Sequence, residues 1–299
     1  DILRLWTTSI DYTTAEIKLS QDLLKVCSDQ YRKIRNTFKF MLSNLLDDDL
    51  GRGFDKNYTP KNLSLMDQLM LNRLKEVLAA MKKGYDTYDV SKVSDVVNNF
   101  FINDLSSFYL DFSKDTLYCE QKDSEMRRNT QYVLYTICKS ICIAYSPILC
   151  FTCEEIYRAL DVPGKKASVA LERYPELGEI DQNLSQEYNT LIALRAHVNN
   201  ILEPVRKEGG IGSSSEAMVE YVPVDDEELN LIKLLGSKEI SRIFIVSGFK
   251  VSKVNKAYKH EGTRCDRCWN YFDDVKSDAD GNHLCCRCAE AVSSYKEEE

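Results

Sequence analysis

Glycine and proline are scarce in this chain of 299 residues, which contains 12 glycines and six prolines. Glycine makes up about 4% of the chain against an average of roughly 7%, so a turn-rich β fold is disfavoured and long helices are expected. Hydrophobic residues make up 43% and aromatic residues 10%, which is ample for packed cores and excludes global disorder. The length predicts two or three domains, because single domains usually have about 100–200 residues.

The chain also lacks a long uninterrupted apolar run. Its most apolar stretch, residues 132–153, is broken by Lys139, Ser146 and Pro147, whereas a membrane span needs about 18 consecutive apolar residues. We therefore expect a pair of buried helices there and no contact with a membrane. The chain begins at Asp1 without a methionine or a signal peptide, which predicts a fragment of a longer protein.

A net positive charge is absent as well. The chain has 39 Lys and Arg residues against 47 Asp and Glu residues, a formal net charge of −8, which excludes nucleic-acid binding through bulk electrostatics. A nucleic-acid contact would need a local basic patch. Residues 250–270 provide a candidate, because six Lys and Arg residues there face only Glu261 and Asp266. The same lysines are also typical of a solvated linker.

Familiar catalytic motifs are missing. The sequence has three histidines, no nucleophile elbow and no glycine-rich phosphate loop that opens a helix after a strand. Gly209, Gly210 and Gly212 follow a predicted helix instead of a strand, so they are a weak candidate for phosphate binding. The sequence therefore predicts no catalytic residue in this chain.

Helical periodicity dominates the first part of the chain and predicts a mainly α fold. The predicted helices cover residues 20–46, 62–83, 89–111, 124–145 and 147–160. Gly84 is the predicted stop of the second helix. These helices form a predicted bundle over residues 1–172. A small α/β domain is expected at 173–258, with helices at 182–208 and 225–235 and strands at 217–223 and 241–247, and a metal-binding module at 259–299.

The first long helix has two contrasting faces. Ser20 is its predicted N-cap. The apolar residues recur every three or four positions: Cys27, Tyr31, Ile34, Phe38, Met41 and Leu45. The opposite face carries the polar residues Arg32, Arg35, Asn36 and Lys39. Such a polar row is either a solvated helix face or a binding surface.

Eleven cysteines without a secretion signal favour a reducing, cytoplasmic location, where clustered thiols are usually metal ligands. Two Cys-x-x-Cys pairs, Cys265 with Cys268 and Cys285 with Cys288, are separated by sixteen residues. This spacing predicts a closed four-thiolate zinc site, which is structural because no coordination position remains open for a substrate. His283 and Cys286 are rival ligands, although the spacing favours the two pairs.

An aromatic residue and several arginines surround the predicted zinc site. Trp269 follows the first pair directly, and Arg264, Arg267 and Arg287 lie nearby in the sequence. Trp269 could form the small core of the module or an exposed surface on which a base stacks. The mixture of cations and an aromatic ring favours a single-stranded nucleic-acid contact.

The motifs, taken in order, resemble the C-terminal region of bacterial-type isoleucine tRNA ligases, a family of class I aminoacyl-tRNA synthetases. The matching segments are DILRLW at 1–6, SIDYT at 9–13, YRKIRNTF at 31–38, SPIL at 146–149, EEIY at 154–157, IGSS at 211–214, RCDRCW at 264–269 and LCCRC at 284–288. The helix-bundle signature alone also resembles the valine and leucine enzymes. The combination with the zinc motif singles out the isoleucine family.

The resemblance implies an anticodon-binding helical bundle with the tail of a stem-contact region at 1–17, a small α/β domain and a C-terminal zinc finger. It implies that the whole protein joins isoleucine to its tRNA with ATP and edits mischarged valine, through domains that precede this chain. The fragment would bind isoleucine tRNA and one zinc ion but no ATP, in a cytoplasmic monomer. Arg32, Arg35, Asn36 and Lys39 become candidates for contacting the anticodon stem-loop, together with Arg264, Arg267, Trp269 and Arg287.

Two other functions are compatible with parts of the sequence. The zinc motif alone also resembles the zinc ribbon of formamidopyrimidine-type DNA glycosylases, so a zinc-ribbon DNA-binding protein is the alternative. The long helical bundle and the lack of an N-terminal proline nucleophile favour the tRNA function. A helical scaffold with a structural zinc ion and no nucleic-acid partner is the third interpretation.

Overall fold

The computed structural model describes residues 1–11, 13, 19–48 and 51–296. Residues 12 and 14–17 of the expected stem-contact region lie outside the described residues, as do residues 297–299. The described part of the chain is mainly helical, and its short strands lie in the last third, so the predicted fold class is confirmed. Among the described residues, no helix is both long and apolar enough to cross a bilayer.

The chain packs as two compact units. The first comprises Asp1–Asp111 and Arg128–Asp181, and the second comprises Phe112–Arg127 and Gln182–Glu299. The sequence predicted three consecutive domains, with boundaries after residues 172 and 258. No local pattern signals that the short segment 112–127 packs with residues much later in the chain, because a partner that distant leaves no mark on nearby sequence.

The first unit is a bundle of helices. They are α1 (Ile2–Thr8), α2 (Gln21–Ser43), α3 (Leu65–Asp86), α4 (Val90–Asn99), a wider π-helical segment (Phe100–Tyr109), the start of α5 (Leu110–Cys119), most of α6 (Glu125–Tyr145), and α7 (Cys150–Ala159). Helices α6 and α7 are the expected buried pair. Helix α5 continues past the predicted end at residue 111, since no glycine or proline interrupts it before Cys119.

Helix α2 confirms both of its predicted faces. The Ser20 side chain accepts a hydrogen bond from the Leu23 N–H, as an N-cap does. Five of the six predicted apolar positions are buried, namely Cys27, Ile34, Phe38, Met41 and Leu45. Tyr31 is half-buried, and its hydroxyl lies 2.9 Å from the hydroxyl of Thr152. The row of polar side chains therefore faces solvent.

Gly84 does not end α3, so that prediction is wrong. The helix continues to Asp86, and Thr87 is its C-cap. A Cβ atom at Gly84 would lie 2.6 Å from Cγ2 of Val93, on the adjoining helix α4. Glycine is required at position 84 because helices α3 and α4 approach each other closely there. The chain reverses direction later, near Tyr88, which has a φ of +59°.

The second unit contains a small mixed sheet packed with helices. Its elements before the cysteine pairs are α8 (Gln182–Lys207), β1 (Ala217–Tyr221), α9 (Asp226–Leu235), α10 (Ser237–Phe244), β2 (Gly248–Val251) and β3 (Lys256–Lys259). Strand β1 lies in the centre, parallel to β2 and antiparallel to β3. The predicted helices at 182–208 and 225–235 and the strand at 217–223 are confirmed within a few residues.

The predicted strand at 241–247 is wrong, because most of this segment belongs to helix α10. Ile240, Ile243 and Phe244 are buried on one face of the helix, a spacing of three and four residues that a strand would split between two faces. Ile245 then ends the helix in the left-handed region with a φ of +55°. Packing of this apolar face therefore overrides the β propensity of the Ile and Val residues.

Candidate metal centre and nucleic-acid interface

Four cysteine sulfurs converge at one point of the second unit. The Sγ atoms of Cys265, Cys268, Cys285 and Cys288 all lie within 4.8 Å of one another, and those of Cys268 and Cys285 are 3.9 Å apart. In a tetrahedral zinc site with zinc–sulfur bonds of about 2.3 Å, the sulfurs are about 3.8 Å apart. The four side chains therefore fit a zinc ion, and they match the ligand set that the spacing predicts.

Two small hairpins and one helix position these sulfurs. The first hairpin pairs β4 (Thr263–Arg264) with β5 (Tyr271–Phe272), and its turn carries Cys265 and Cys268. The second pairs β6 (Lys276–Ser277) with β7 (His283–Leu284) and leads through Cys285 into α11 (Cys286–Lys296). Each cysteine pair is thus held by local backbone structure, as in a zinc knuckle.

Backbone hydrogen bonds tighten the first knuckle around its sulfurs. The Cys265 carbonyl accepts from the Trp269 N–H at 2.9 Å, and the Cys265 N–H donates to the Asn270 carbonyl at 2.9 Å. The Cys285 N–H also points at the Cys265 sulfur, 3.4 Å away. Trp269 closes the turn with a φ of +65°, which is uncommon for a bulky residue.

The rival ligands lie outside the sulfur cluster. Cys286 is exposed, and its sulfur lies 3.3 Å from a carboxylate oxygen of Glu290, which raises the pKa of the Cys286 thiol. His283 is half-exposed, and its Nδ1 atom lies 3.5 Å from Asp266. In contrast, Cys265, Cys285 and Cys288 are buried, and their sulfurs lie inside the cluster with that of Cys268.

Trp269 and Arg264 form an exposed surface on the first knuckle. The Trp269 side chain is 62% exposed, and the Arg264 guanidinium lies 5.7 Å from the centre of its ring. The indole N–H donates to the Asp266 carbonyl at 3.1 Å, which restrains the ring. Trp269 is therefore not the buried core of the module, and its ring is available for stacking.

Arg267 and Arg287 have partners within the second unit. Arg267 donates to the backbone carbonyls of Tyr118, at 3.0 Å, and of Cys119. Arg287 forms a two-pronged ion pair with Asp115, one of its bonds being 2.7 Å long, and also contacts Glu120 at 3.2 Å. The tRNA contact predicted for these two arginines stays a prediction, and the structure gives both of them a role within the protein.

The four polar candidates on α2 are presented together on the bundle. Arg32, Arg35, Asn36 and Lys39 are all exposed. Arg32 forms an ion pair with Asp29 at 3.0 Å, and its side chain remains 70% exposed. An exposed ion pair of this kind contributes little to stability, so the row can engage an external partner at low cost.

The basic segment at 250–270 is partly neutralised by one carboxylate in strand β1 and another directly before it. Lys250 lies 3.0 Å from Glu220, and Lys259 lies 3.6 Å from Glu216. The Lys259 ammonium group also lies 6.0 Å from the centre of the Tyr271 ring. Sequence reasoning missed Tyr271, although it is paired with Arg264 across the β4–β5 hairpin. A count of charges along the sequence therefore overestimates the positive charge of this segment.

The sequence of the chain is similar to two known families. Residues 67–221 match the anticodon-binding domain of tRNA ligase, and residues 262–291 match the zinc finger found in formamidopyrimidine-DNA glycosylases and isoleucine tRNA ligases. Helix α2 precedes the first match. The second match contains all four cysteines of the sulfur cluster.

Curated relatives resemble nearly the whole chain. The chain is 39% identical over 306 residues to an isoleucine tRNA ligase from Staphylococcus epidermidis strain ATCC 35984, and 39% identical over 307 residues to one from Staphylococcus aureus strain MSSA476. Each alignment covers 98% of this chain and 33% of the relative, so the chain spans about a third of their length. The match to the anticodon-binding domain of tRNA ligase, at residues 67–221, covers just over half of the chain. The chain therefore belongs to the family of anticodon-binding domains of tRNA ligases.

Proposed function

We propose that this chain is the tRNA-recognition part of an isoleucine tRNA ligase and that it binds the anticodon stem-loop of isoleucine tRNA. The observation that carries the proposal is the exposed ring of Trp269, flanked by the Arg264 guanidinium, on a knuckle whose four thiols fit a zinc ion. Stacking on an exposed ring contributes about 1–3 kcal/mol per base and suits the splayed bases of a loop.

A second contact surface is proposed on α2. Arg32, Arg35, Asn36 and Lys39 are exposed on one helix face. Guanidinium and ammonium groups bind phosphates, and an amide can read the edge of an unpaired base. These side chains would contact the RNA without help from the metal, because α2 is held by its own buried face.

The four tRNA-binding candidates of the zinc module would have two different roles. Arg264 and Trp269 would touch the RNA, since both are presented to solvent. Arg267 and Arg287 would act through the position of the knuckles, because their guanidinium groups are bonded to residues 115–120. Zinc would hold the knuckles closed, and no chemical step is assigned to it.

The activity of the whole protein is part of the same proposal. It would attach isoleucine to its tRNA with ATP and remove mischarged valine, through catalytic and editing domains outside this chain. We propose that the chain alone is a monomer that forms no isoleucyl adenylate, and that isoleucine-dependent pyrophosphate exchange is not measurable with it. None of the eleven cysteines is in a disulfide bond, which supports a reducing compartment such as the cytoplasm.

A binding titration tests the proposal. The zinc-loaded chain is titrated against isoleucine tRNA, valine tRNA and duplex DNA at one fixed salt concentration, because salt alone changes such affinities strongly. Isoleucine tRNA should bind most tightly. Tighter binding of duplex DNA would instead favour a zinc-ribbon DNA-binding protein. Equally weak binding of all three nucleic acids would favour a helical scaffold that has no nucleic-acid partner.

Two variants make the titration specific. Trp269→Ala should weaken tRNA binding while zinc content stays the same. Phe151→Ala is the matched control, because Phe151 is another large exposed ring, 72% exposed on α7 and far along the sequence from the zinc module. Equal losses for the two variants would contradict a specific stacking role for Trp269.

A further inference from the structure

We propose that the outer face of the small sheet is a further RNA-binding surface, on which Lys256, held by the ring of Tyr258, binds a phosphate of the strand that continues from the base stacked on Trp269. This surface rests on the proposed function, because its occupant is the same single-stranded loop of the tRNA. It adds to that function a phosphate contact in strand β3 and a residue that positions the contact.

The small sheet has one face covered by helices and an outer face with polar side chains. On the covered face, Phe249 is the cross-strand partner of Val219 and packs its ring against Phe244 of α10, with 6.4 Å between the ring centres. In β1, buried residues alternate with the half-buried Met218 and Glu220. Cross-strand partners point to the same side of a sheet. The outer face therefore consists of Met218, Glu220 and their partners Gly248, Lys250, Lys256 and Tyr258.

An anchored tyrosine ring holds the ammonium group of Lys256 on the outer face. The Lys256 Nζ atom lies 5.1 Å from the centre of the Tyr258 ring, which is within the range of a cation–π interaction. The Tyr258 hydroxyl donates to Glu220 at 3.2 Å, and the same carboxylate pairs with Lys250 at 3.0 Å. Lys250 thereby neutralises Glu220, whereas Lys256 is exposed beside an aromatic ring. Lys256 can therefore bind a phosphate without first leaving a carboxylate.

His260 lies where the outer face meets the first hairpin of the zinc module. A Cβ atom at Gly248 would overlap Sδ of Met218 and lie 3.8 Å from Cδ2 of His260, so these two side chains lie side by side over β2. The N–H of Gly262, which directly precedes β4, donates to Nδ1 of His260 at 2.9 Å. A ring nitrogen that accepts a hydrogen bond carries no proton. The neutral His260 ring therefore presents its Nε2–H group as a donor.

A second hydrogen bond ties the first hairpin to the sheet. The Tyr271 N–H donates to the Ser247 hydroxyl at 2.7 Å, and Ser247 directly precedes β2. Tyr271 is paired with Arg264 across the hairpin, and the Arg264 guanidinium lies 5.7 Å from the centre of the Trp269 ring. The outer face and Trp269 thus belong to neighbouring, hydrogen-bonded parts of the same unit.

The charge of the outer face suits an RNA strand. The face and the turn that follows β2 carry three exposed lysines, Lys250, Lys253 and Lys256, and Glu220 is the carboxylate on the same face. Proteins that follow a single strand combine cations that contact phosphates with aromatic rings that stack bases. A strand whose base stacks on Trp269 would therefore meet a second, cationic surface at the sheet.

The salt dependence of RNA binding tests the contact of Lys256. The zinc-loaded full chain is titrated with the anticodon stem-loop of isoleucine tRNA over a series of salt concentrations. Lys256→Ala should weaken binding and reduce the slope of log affinity against log salt concentration by about one, and Lys256→Arg should restore the slope. Lys238→Ala is the matched control, because Lys238 is an exposed lysine of α10, the helix that packs on the covered face.

Variants of Tyr258 test whether its ring positions Lys256. Tyr258→Leu removes the ring and should reduce the salt slope as Lys256→Ala does. Tyr258→Phe keeps the ring and should bind RNA with the wild-type affinity. In the Lys256→Ala background, Tyr258→Leu should cause no further loss of affinity, because the two residues act as one unit. A further loss in that background would overturn the positioning role of Tyr258.

Cross-linking distinguishes a failure of this surface from a failure of the proposed function. A stem-loop with a photoreactive thiouridine in its loop is irradiated in complex with the full chain, and the cross-linked peptides are identified by mass spectrometry. Cross-links within residues 256–260 and at the first knuckle would support the surface. If Trp269→Ala weakens binding but Lys256→Ala keeps the wild-type affinity and slope, the outer face is overturned and the proposed function stands. A wild-type chain that binds no RNA would overturn both.

Discussion

The helical bundle and the zinc module hold their exposed side chains in place by different physical means. The bundle buries large apolar side chains completely, among them Phe38, Phe100, Phe101 and Phe108, and each such burial contributes about 1.5–3 kcal/mol. The buried group of the module consists of only Cys265, Leu284, Cys285 and Cys288, together with Cys119 of α5, and it is flanked by half-buried residues such as Phe272 and Val275. Apolar burial therefore maintains α2, whereas metal ligation has to maintain the knuckle that carries Trp269.

This difference separates two surfaces for which the same partner is proposed. The polar row on α2 depends on a helix whose other face is buried, so it should survive removal of zinc. Trp269 sits in a turn with a φ of +65°, a conformation that persists only when its surroundings enforce it. The four predictions below test this separation.

Zinc removal should have the largest effect. Structural zinc contributes an apparent free energy of about 10–16 kcal/mol in isolated zinc fingers, and the module has little other core. Chelation, or the substitution Cys268→Ser, should unfold residues 260–295, which amide hydrogen exchange and zinc content would detect. Helix α2 should keep its protection. Full zinc occupancy with unchanged exchange in Cys268→Ser would contradict the assigned ligand set.

The converse change should damage the bundle and spare the module. Gly84→Ala places a methyl group 2.6 Å from Cγ2 of Val93, and overpacking of this kind costs about 1–3 kcal/mol. Urea unfolding of the first unit should report the loss, while zinc affinity stays unchanged. The double variant Gly84→Ala with Val93→Ala should recover part of the lost stability, because the shorter side chain at position 93 removes the clash. Strictly additive losses would show that these residues do not interact.

Trp269→Ala should weaken tRNA binding by about 1–3 kcal/mol, the usual contribution of one stacked base. Zinc content and the melting temperature should stay the same, because the ring is mostly exposed. In zinc-free protein the variant and the wild type should bind equally, since the knuckle is then open. A persistent difference without zinc would mean that the ring position does not depend on the metal.

Arg35→Ala should have the smallest effect. The loss of one phosphate contact weakens tRNA binding modestly, and it reduces the slope of log affinity against log salt concentration by about one. The same loss should appear with and without zinc, since α2 belongs to the bundle. Arg158→Ala is the matched control, because Arg158 is an exposed arginine of the same unit whose side chain is 74% exposed. Equal tRNA affinities for Arg35→Ala and the wild type would show that Arg35 belongs to a solvated helix face and does not contact the tRNA.

Local sequence patterns predicted well which four thiols lie together and which face of α2 is buried. The Cys-x-x-Cys spacing defines a knuckle within four residues, and the steps of three and four residues in α2 define a buried face from Cys27 to Met41. The pattern failed at 241–247, where Ile243 and Phe244 read as part of a strand but pack as part of α10. It also failed at Gly84, where glycine permits close packing and does not end the helix.

The sequence by itself determined the mainly helical class, the four thiols that fit zinc and the polar row on α2, because each depends on residues that are neighbours along the chain. Only the tertiary structure decided which arginines of the module face inward and where Cys119 lies. The contact between Arg287 and Asp115 joins residues 172 positions apart, and that between Arg267 and Cys119 joins residues 148 positions apart. Such contacts form only once the whole unit has folded, so no local spacing can encode them.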